Sequence, residues 1–319
     1  MAQILMDLKM NIQLSQILKH KAVNGWGLLL LFSVPMSMFN YLAMSDTDMS
    51  SPEGVSHMIG YSVRWAIPFI YLVVAASSVK VLFPGTFSAW WMRNRKYIGL
   101  VFAVGMAWQA AFIFILSTFY RDYYFAEVYY FRDEVEGSVG YIFLVAMVIT
   151  SFQFARKRVN HAQWKLIQKG GVYFLWAYPF SVYWWNLFYY PYLDSYSNPE
   201  LHDYLFYWAG FLAFALRILA WGKIRSKALN KSTMVESPST FVFSLGVGLV
   251  MIGLAASATG HYWFNWVSLL VSSPTWSAEM ALWLPFWPLE PFMPLILMGL
   301  GIYLATKGRP LRNTGVAEA

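Results

Sequence analysis

Residues 90–122 read WWMRNRKYIGLVFAVGMAWQAAFIFILSTFYRD. After the basic cluster Arg93, Arg95 and Lys96, no charged residue occurs until Arg121. The apolar run is continuous rather than alternating, which fits a helix and not a strand of a membrane barrel. At 1.5 Å per residue, about 20 such residues cross a hydrocarbon core of about 30 Å. The stretch reads as a membrane-spanning helix over residues 97–118.

The pattern recurs along the chain. Apolar runs predict spans at 26–44, 61–83, 97–118, 139–156, 171–190, 203–221, 239–260 and 288–306, which makes an all-α polytopic bundle of about eight spans. Composition agrees, because only 12% of the 319 residues are charged and 58% are hydrophobic. A soluble domain carries about 25% charged residues, and this chain has too few to cover a solvated surface. There is no cysteine, so disulfides and thiolate-bound iron–sulfur clusters are excluded.

The charges alternate in sign from loop to loop. Basic residues gather at Lys9, Lys19 and Lys21, at Lys80, Arg93, Arg95 and Lys96, and at Arg156, Lys157, Arg158, Lys165 and Lys169. They gather again at Lys223, Arg225, Lys227 and Lys231, and at Lys307, Arg309 and Arg312. The intervening loops hold most of the acids, among them Asp122, Glu127, Asp133, Glu134 and Glu136. The positive-inside rule then puts both termini in the cytoplasm. Adding or dropping one span would invert every later loop and destroy the alternation. It also explains the net charge of +7 without nucleic acid, whose binding needs a basic patch on a soluble domain.

Three segments need separate readings. The N-terminal stretch MAQILMDLKMNIQLSQILKHKAVNGW lacks a small-residue cleavage site and reads as a short amphipathic surface helix. Segment 261–287 is apolar and Trp-rich but broken by Pro274 and Pro285, so a re-entrant or surface-lying outer segment is expected. The runs Trp90-Trp91, Tyr183-Trp184-Trp185 and Tyr189-Tyr190 read as interfacial belts. Arg64 and Arg217 lie near span ends, where snorkelling to the interface accounts for them, and a functional reading would have either face a lipid headgroup or an anionic ligand.

Chemistry-bearing motifs are sparse. No Walker, GxGxxG, GxSxG or HExxH pattern occurs. Of the five histidines, His20 and His161 fall on the basic side, and His57, His202 and His261 fall near the outer ends of spans. Those three are the candidate metal ligands, with isolated interfacial histidines as the other reading. Gly246, Gly248 and Gly253, followed by Ala255, Ala256 and Ala258, form a small-residue face suited to close helix packing. The acidic loop 121–138 suits a cation, a partner or solvent.

Residues 60–119 and 149–185 carry a further signal. A glycine opens a span at Gly60, and a basic R-x-R-K-x-x-G-L run (Arg93, Arg95, Lys96, Gly99, Leu100) leads into the next. Thr150-Ser151 closes a later span, and a basic loop leads to Trp164 and then to Val172-Tyr173. In order and spacing these resemble the ferric-reductase-like transmembrane domain, and within it the haem-binding membrane subunits of bacterial methionine-sulfoxide reductase systems. The resemblance covers about half the chain. It implies a core over 57–222, a preceding segment 1–56 with the first span, and a two-span extension 223–319 with the Trp-rich outer segment and basic tail. It also implies a bacterial inner membrane.

That family holds b-type haem with histidines at three places. The corresponding positions here are Gln109, Gln168 and, allowing a one-residue shift, Ser181 or Val182. Amides and hydroxyls are poor ligands for haem iron beside imidazole. The resemblance therefore implies the fold while arguing against the electron transfer, and no cofactor is expected. The resulting reading is a non-catalytic membrane subunit, scaffold or lipid/quinone-binding protein, with a partner at the C-terminal helices or the basic loops. The alternative is an oxidoreductase component with unusually ligated haem b, or with flavin whose phosphate meets Lys157, Arg158, Lys165 and Lys169. A transporter ranks below both, since only Arg64, Arg217 and Pro179 hint at it and no inverted repeat is visible.

Overall fold

The computed structural model describes residues 16–193, 198–231, 235–236, 238–271 and 275–310. Most of the expected N-terminal surface helix and the end of the basic tail, including Arg312, lie outside the described residues. The principal helices are α1 (Trp26–Asp46), α2 (Pro52–Leu82), α3 (Thr86–Phe119), α4 (Phe131–Thr150) and α5 (His161–Phe188). They continue with α6 (Leu201–Lys231), α7 (Thr240–Ala258), α8 (Gly260–Val271), α9 (Thr275–Trp283) and α10 (Met293–Ala305). The chain forms two compact units, residues 1–179 and 180–319.

Among the described residues, five helices are long and apolar enough to cross a membrane: α1, α2, α3, α6 and α7. Two of them, α1 and α7, carry surfaces opposite to those of soluble helices. On α1, Leu30, Leu31, Val34 and Met38 are exposed while Ser33 and Asn40 are buried. On α7, Phe241, Met251 and Ile252 are exposed while Gly246, Gly253 and Ser257 are buried. Contiguous exposed apolar faces of this extent need a covering. Helices with internally satisfied backbones and apolar exteriors are suited to lipid. The chain is a multi-spanning helical membrane protein.

Local chemistry sets the helix limits. α2 starts at Pro52, nine residues before the expected span, because Ser51 caps it by accepting from the Gly54 N–H and Pro52 occupies the first turn. α5 starts at His161, ten residues early, behind a reciprocal cap. The Gln163 N–H donates to Asn160 Oδ1 (2.8 Å), and the Asn160 N–H donates to Gln163 Oε1 (3.0 Å). α4 ends at Thr150, short of the expected 156. The Thr150 and Ser151 hydroxyls turn back onto the Ala146 and Met147 carbonyls, and Phe152 is extended.

In the first unit, α2 and α3 form an antiparallel hairpin. Close approach depends on Gly105, where a Cβ would lie 2.7 Å from Ala66 Cβ. α1 runs beside α3 in parallel, joined by the Asn94 Oδ1–Gly25 N–H bond (2.9 Å) at one end and the Trp108 Nε1–Ser37 Oγ bond (3.0 Å) further along. Beyond these, Val55, Met58, Phe112, Leu116 and Tyr124 form a buried apolar cluster.

In the second unit, α7 and α10 pack antiparallel along a glycine seam. A Cβ on Gly246 would lie 2.6 Å from the Gly301 carbonyl oxygen, and one on Gly253 would lie 2.6 Å from that of Pro294. Gly248 faces open space, so two of the three expected packing glycines belong to the seam. A two-residue antiparallel bridge pairs Val235–Glu236 with Arg309–Pro310. Elsewhere in this unit the core includes a cluster of aromatic residues. Trp184 is fully buried against Trp185, Phe188, Trp263 and Phe264, and Phe180 stacks on Tyr207. Trp184 is thus a core residue and not part of an interfacial belt. The Trp-rich segment after it folds as the two short helices α8 and α9.

Candidate functional site

Gln109 and Gln168 both engage α4. Gln168, on α5, donates from Nε2 to the Met147 carbonyl oxygen (3.0 Å) and to Thr150 Oγ1 (3.1 Å). Met147 O lies in the last turn of α4 and already accepts from the Ser151 N–H (3.1 Å) and hydroxyl (2.7 Å). The Gln168 amide adds a donor from outside that helix and ties α5 to the end of α4. Thr150 donates its own proton to the Ala146 carbonyl (2.6 Å), which leaves its oxygen lone pairs for Gln168.

Gln109, on α3, sits 3.0 Å from the Tyr141 hydroxyl of α4, which also lies 3.2 Å from the Met106 carbonyl oxygen. The phenol O–H donates to Gln109 Oε1, the nearer of the two oxygens, with the Met106 carbonyl oxygen within reach of the same proton. The two glutamines meet α4 at Tyr141 and at Met147–Thr150, roughly 9–14 Å apart along its axis. They do not converge on one ion. Neither position is an empty socket, since each side chain bonds a neighbouring helix.

Ser181 and Val182 belong to the second unit. Ser181 is buried and Val182 is exposed, so of the two alternatives only Ser181 faces inward.

The three outer histidines are held apart in kind. His57 is exposed, with its ring near Tyr61. His261 stacks on Tyr192 at 5.4 Å. His202 lies between two carboxylates, with Nδ1 3.1 Å from Glu200 Oε2 and Nε2 3.5 Å from Asp203 Oδ1. The two ring nitrogens point outward from opposite edges of the imidazole, so those carboxylates cannot join either nitrogen around a common ion. Asp203 is further occupied by the Asn186 Nδ2 (2.9 Å) and the Glu200 N–H (2.8 Å). Among the described residues, no three His, Asp or Glu side chains are grouped to hold a metal.

The acidic loop is internally paired. A π-helical turn at Tyr124–Val128 brings the Tyr124 hydroxyl to Glu134 Oε2 (2.5 Å), and Arg132 Nε meets Glu136 Oε1 (3.1 Å). Burial, then the Glu134 carboxylate as hydrogen-bond partner and neighbouring charge, pushes the Tyr124 phenol above its ordinary range. Burial also raises the Asp133 carboxyl, against the opposing effect of Arg132.

A polar network at the other end of the first unit was not legible as a site. Asn24, Trp90, Arg93 and Asn94 join the chain before α1 to the first turns of α3. The sequence marked Arg93 as a loop cation and as part of the R-x-R-K run, not as a partner of Asn24. The Asn24–Gly25 pair ahead of the apolar run was the signal for a built turn. No family model, curated protein or solved structure matches the chain.

Proposed function

We propose that this protein is a non-catalytic membrane subunit that serves as a helical scaffold. In this reading it has eight spans, both termini in the cytoplasm of a bacterial inner membrane, and a ferric-reductase-like core over 57–222. Its three haem-ligand positions have been turned over to packing. The observation that carries the reading is the Gln168 amide, which bridges the Met147 carbonyl and Thr150 Oγ1 of α4. A side chain bound in this way supports the helix pair, and an amide is a poor partner for haem iron. Gln109, bound through Tyr141, supports the same conclusion. The reading takes α4, α5 and α10, which overlap the apolar runs 139–156, 171–190 and 288–306, as the three further spans.

The test is spectral. Full-length protein expressed with haem precursor and purified in mild detergent is expected to show no stoichiometric Soret or reduced α band, and no flavin absorbance. One bound haem or flavin per chain would replace the scaffold with the redox alternative. Reporter fusions after residues 84, 158 and 230 are expected to report a cytoplasmic location, and fusions after 48, 128 and 198 the opposite side. An inverted pattern would remove the eight-span topology.

A further inference from the structure

The segment before α1 is folded back onto the start of that helix. Gly25 has a positive φ of 59°, which favours glycine. A Cβ on Gly27 would collide with the Lys21 carbonyl oxygen. Asn24 Nδ2 donates to the Leu18 and His20 carbonyls (both 2.8 Å), and Trp90 Nε1 donates to that of Val23 (2.9 Å). Buried Asn94 accepts from the Gly25 N–H and donates to Asn24 Oδ1 (3.0 Å). Two glycines and two asparagines thus fix the turn that carries Lys19 and Lys21.

Arg93 joins this turn from α3. Its Nη2 donates to Asn24 Oδ1 (2.9 Å) and lies 3.4 Å from the Leu18 carbonyl, so the guanidinium is positioned while, among the described residues, its other N–H groups meet no acceptor. Lys96, one turn along, lies 4.5 Å from the centroid of Phe152, on which Trp26 stacks. Lys19, Lys21, Arg93 and Lys96 are all exposed. No Asp or Glu occurs from 16 to 45, from 54 to 121 or from 137 to 193, so among the described residues the elements building this end supply no counter-charge.

We propose that this turn is a binding site for the phosphate of an anionic phospholipid headgroup. Charge complementarity selects an anion, and the planar Arg93 fork suits phosphate oxygens. The surroundings select a lipid. Ile17 and Trp26 are exposed beside the cations, as interfacial anchors are. The exposed face of α1 then runs on through Leu30, Leu31, Val34 and Met38, which gives acyl chains an apolar track below the headgroup. The inference rests on the chain's spanning a bilayer and not on the absence of haem, so the spectral test and the lipid test fail separately.

The experiment uses the full chain in neutral detergent, with native mass spectrometry and thermal shift against dioleoylphosphatidylglycerol, dioleoylphosphatidylcholine and inorganic phosphate. The anionic lipid is expected to bind and raise the melting temperature, with neither other probe doing so. A Lys19→Gln/Lys21→Gln variant should weaken binding by about fivefold per removed cation. Among the described residues the side chains of those two lysines make no hydrogen bond, so their replacement leaves the Asn24, Trp90 and Asn94 bonds that fix the turn in place. Arg93→Gln should lose at least as much per charge, while the control Lys157→Gln/Arg158→Gln, in a different basic loop, should stay within about twofold of the parent. Equal binding of the zwitterionic lipid, saturation by inorganic phosphate alone, or equal losses in the control would overturn the site.

Discussion

Gln168 Nε2 of α5 donates to Thr150 Oγ1, the last residue of α4, across 3.1 Å, and shares its second proton with the Met147 carbonyl. Hydrogen bonds between membrane helices average about 0.6 kcal/mol. Gln168→Leu, which removes both, is expected to lower stability by about 1 kcal/mol. Thr150→Val also loses the Ala146 bond, so only a double-mutant cycle isolates the pair. Detergent-titration unfolding of the four proteins should give a coupling near 0.6 kcal/mol. Strictly additive losses would show that the Gln168–Thr150 bond contributes nothing, leaving only the Met147 carbonyl to tie Gln168 to α4.

The α7–α10 seam gives a sharper contrast. A Cβ at Gly301 would lie 2.5 Å from the Gly246 carbonyl oxygen and 2.9 Å from the Val250 nitrogen. Those atoms are backbone and cannot swing away, so Gly301→Ala must separate the helices. Overpacking of this kind costs about 1–3 kcal/mol. Gly248→Ala, on the same helix pair but facing open space, should be neutral or should gain about 0.5–1 kcal/mol from helix propensity. Melting temperatures that fall equally in both variants would show that the seam is not what makes Gly301 special.

These two predictions also show what the sequence contained. Apolar length located the helices, because a span of about 20 residues is fixed by bilayer thickness. It did not locate their ends, which are set by single side chains. The Asn160–Gln163 pair is a capping pattern inside a basic loop, and apolar counting passed over it. Gly246 and Gly248 look alike in sequence, and only the path of α10 separates the packed one from the open one. The resemblance singled out Gln109 and Gln168, and their amides suit hydrogen bonds better than iron. That both turn to α4 depended on Tyr141 and Thr150 lying opposite them, which spacing along the chain does not encode.

Asp133 predicts an acid-side effect. Burial raises its carboxyl above the ordinary 3.8, with Arg132 opposing. The folded state therefore prefers the protonated acid. Stability associated with that form is complete below 3.8 and is lost as pH rises through the folded value. Asp133→Asn, which stays neutral, should melt higher than the parent at pH 7, with the gap closing towards pH 3. A gap that widens in acid would reverse the sign and place Asp133 in a stabilising ion pair.

Tyr124 predicts the matching alkaline limb. Its ring belongs to the buried cluster with Val55, Met58, Phe112 and Leu116, and its hydroxyl donates to Glu134. Burial first, then the carboxylate, raises the phenol above its ordinary 10.0. The unfolded chain then loses the proton before the folded one does. Stability is unaffected below pH 10 and falls as pH climbs from there towards the folded value. Tyr124→Phe keeps the ring in the cluster and removes the titrating group. At pH 7 it should cost about 1 kcal/mol, because Glu134 loses a charge-assisted donor but retains access to water. Above pH 10 the variant should lose less stability per pH unit than the parent, so the two unfolding curves approach each other. The curves would stay parallel only if the Tyr124–Glu134 bond does not form, and the π-helical turn at Tyr124–Val128 would then lack its anchor.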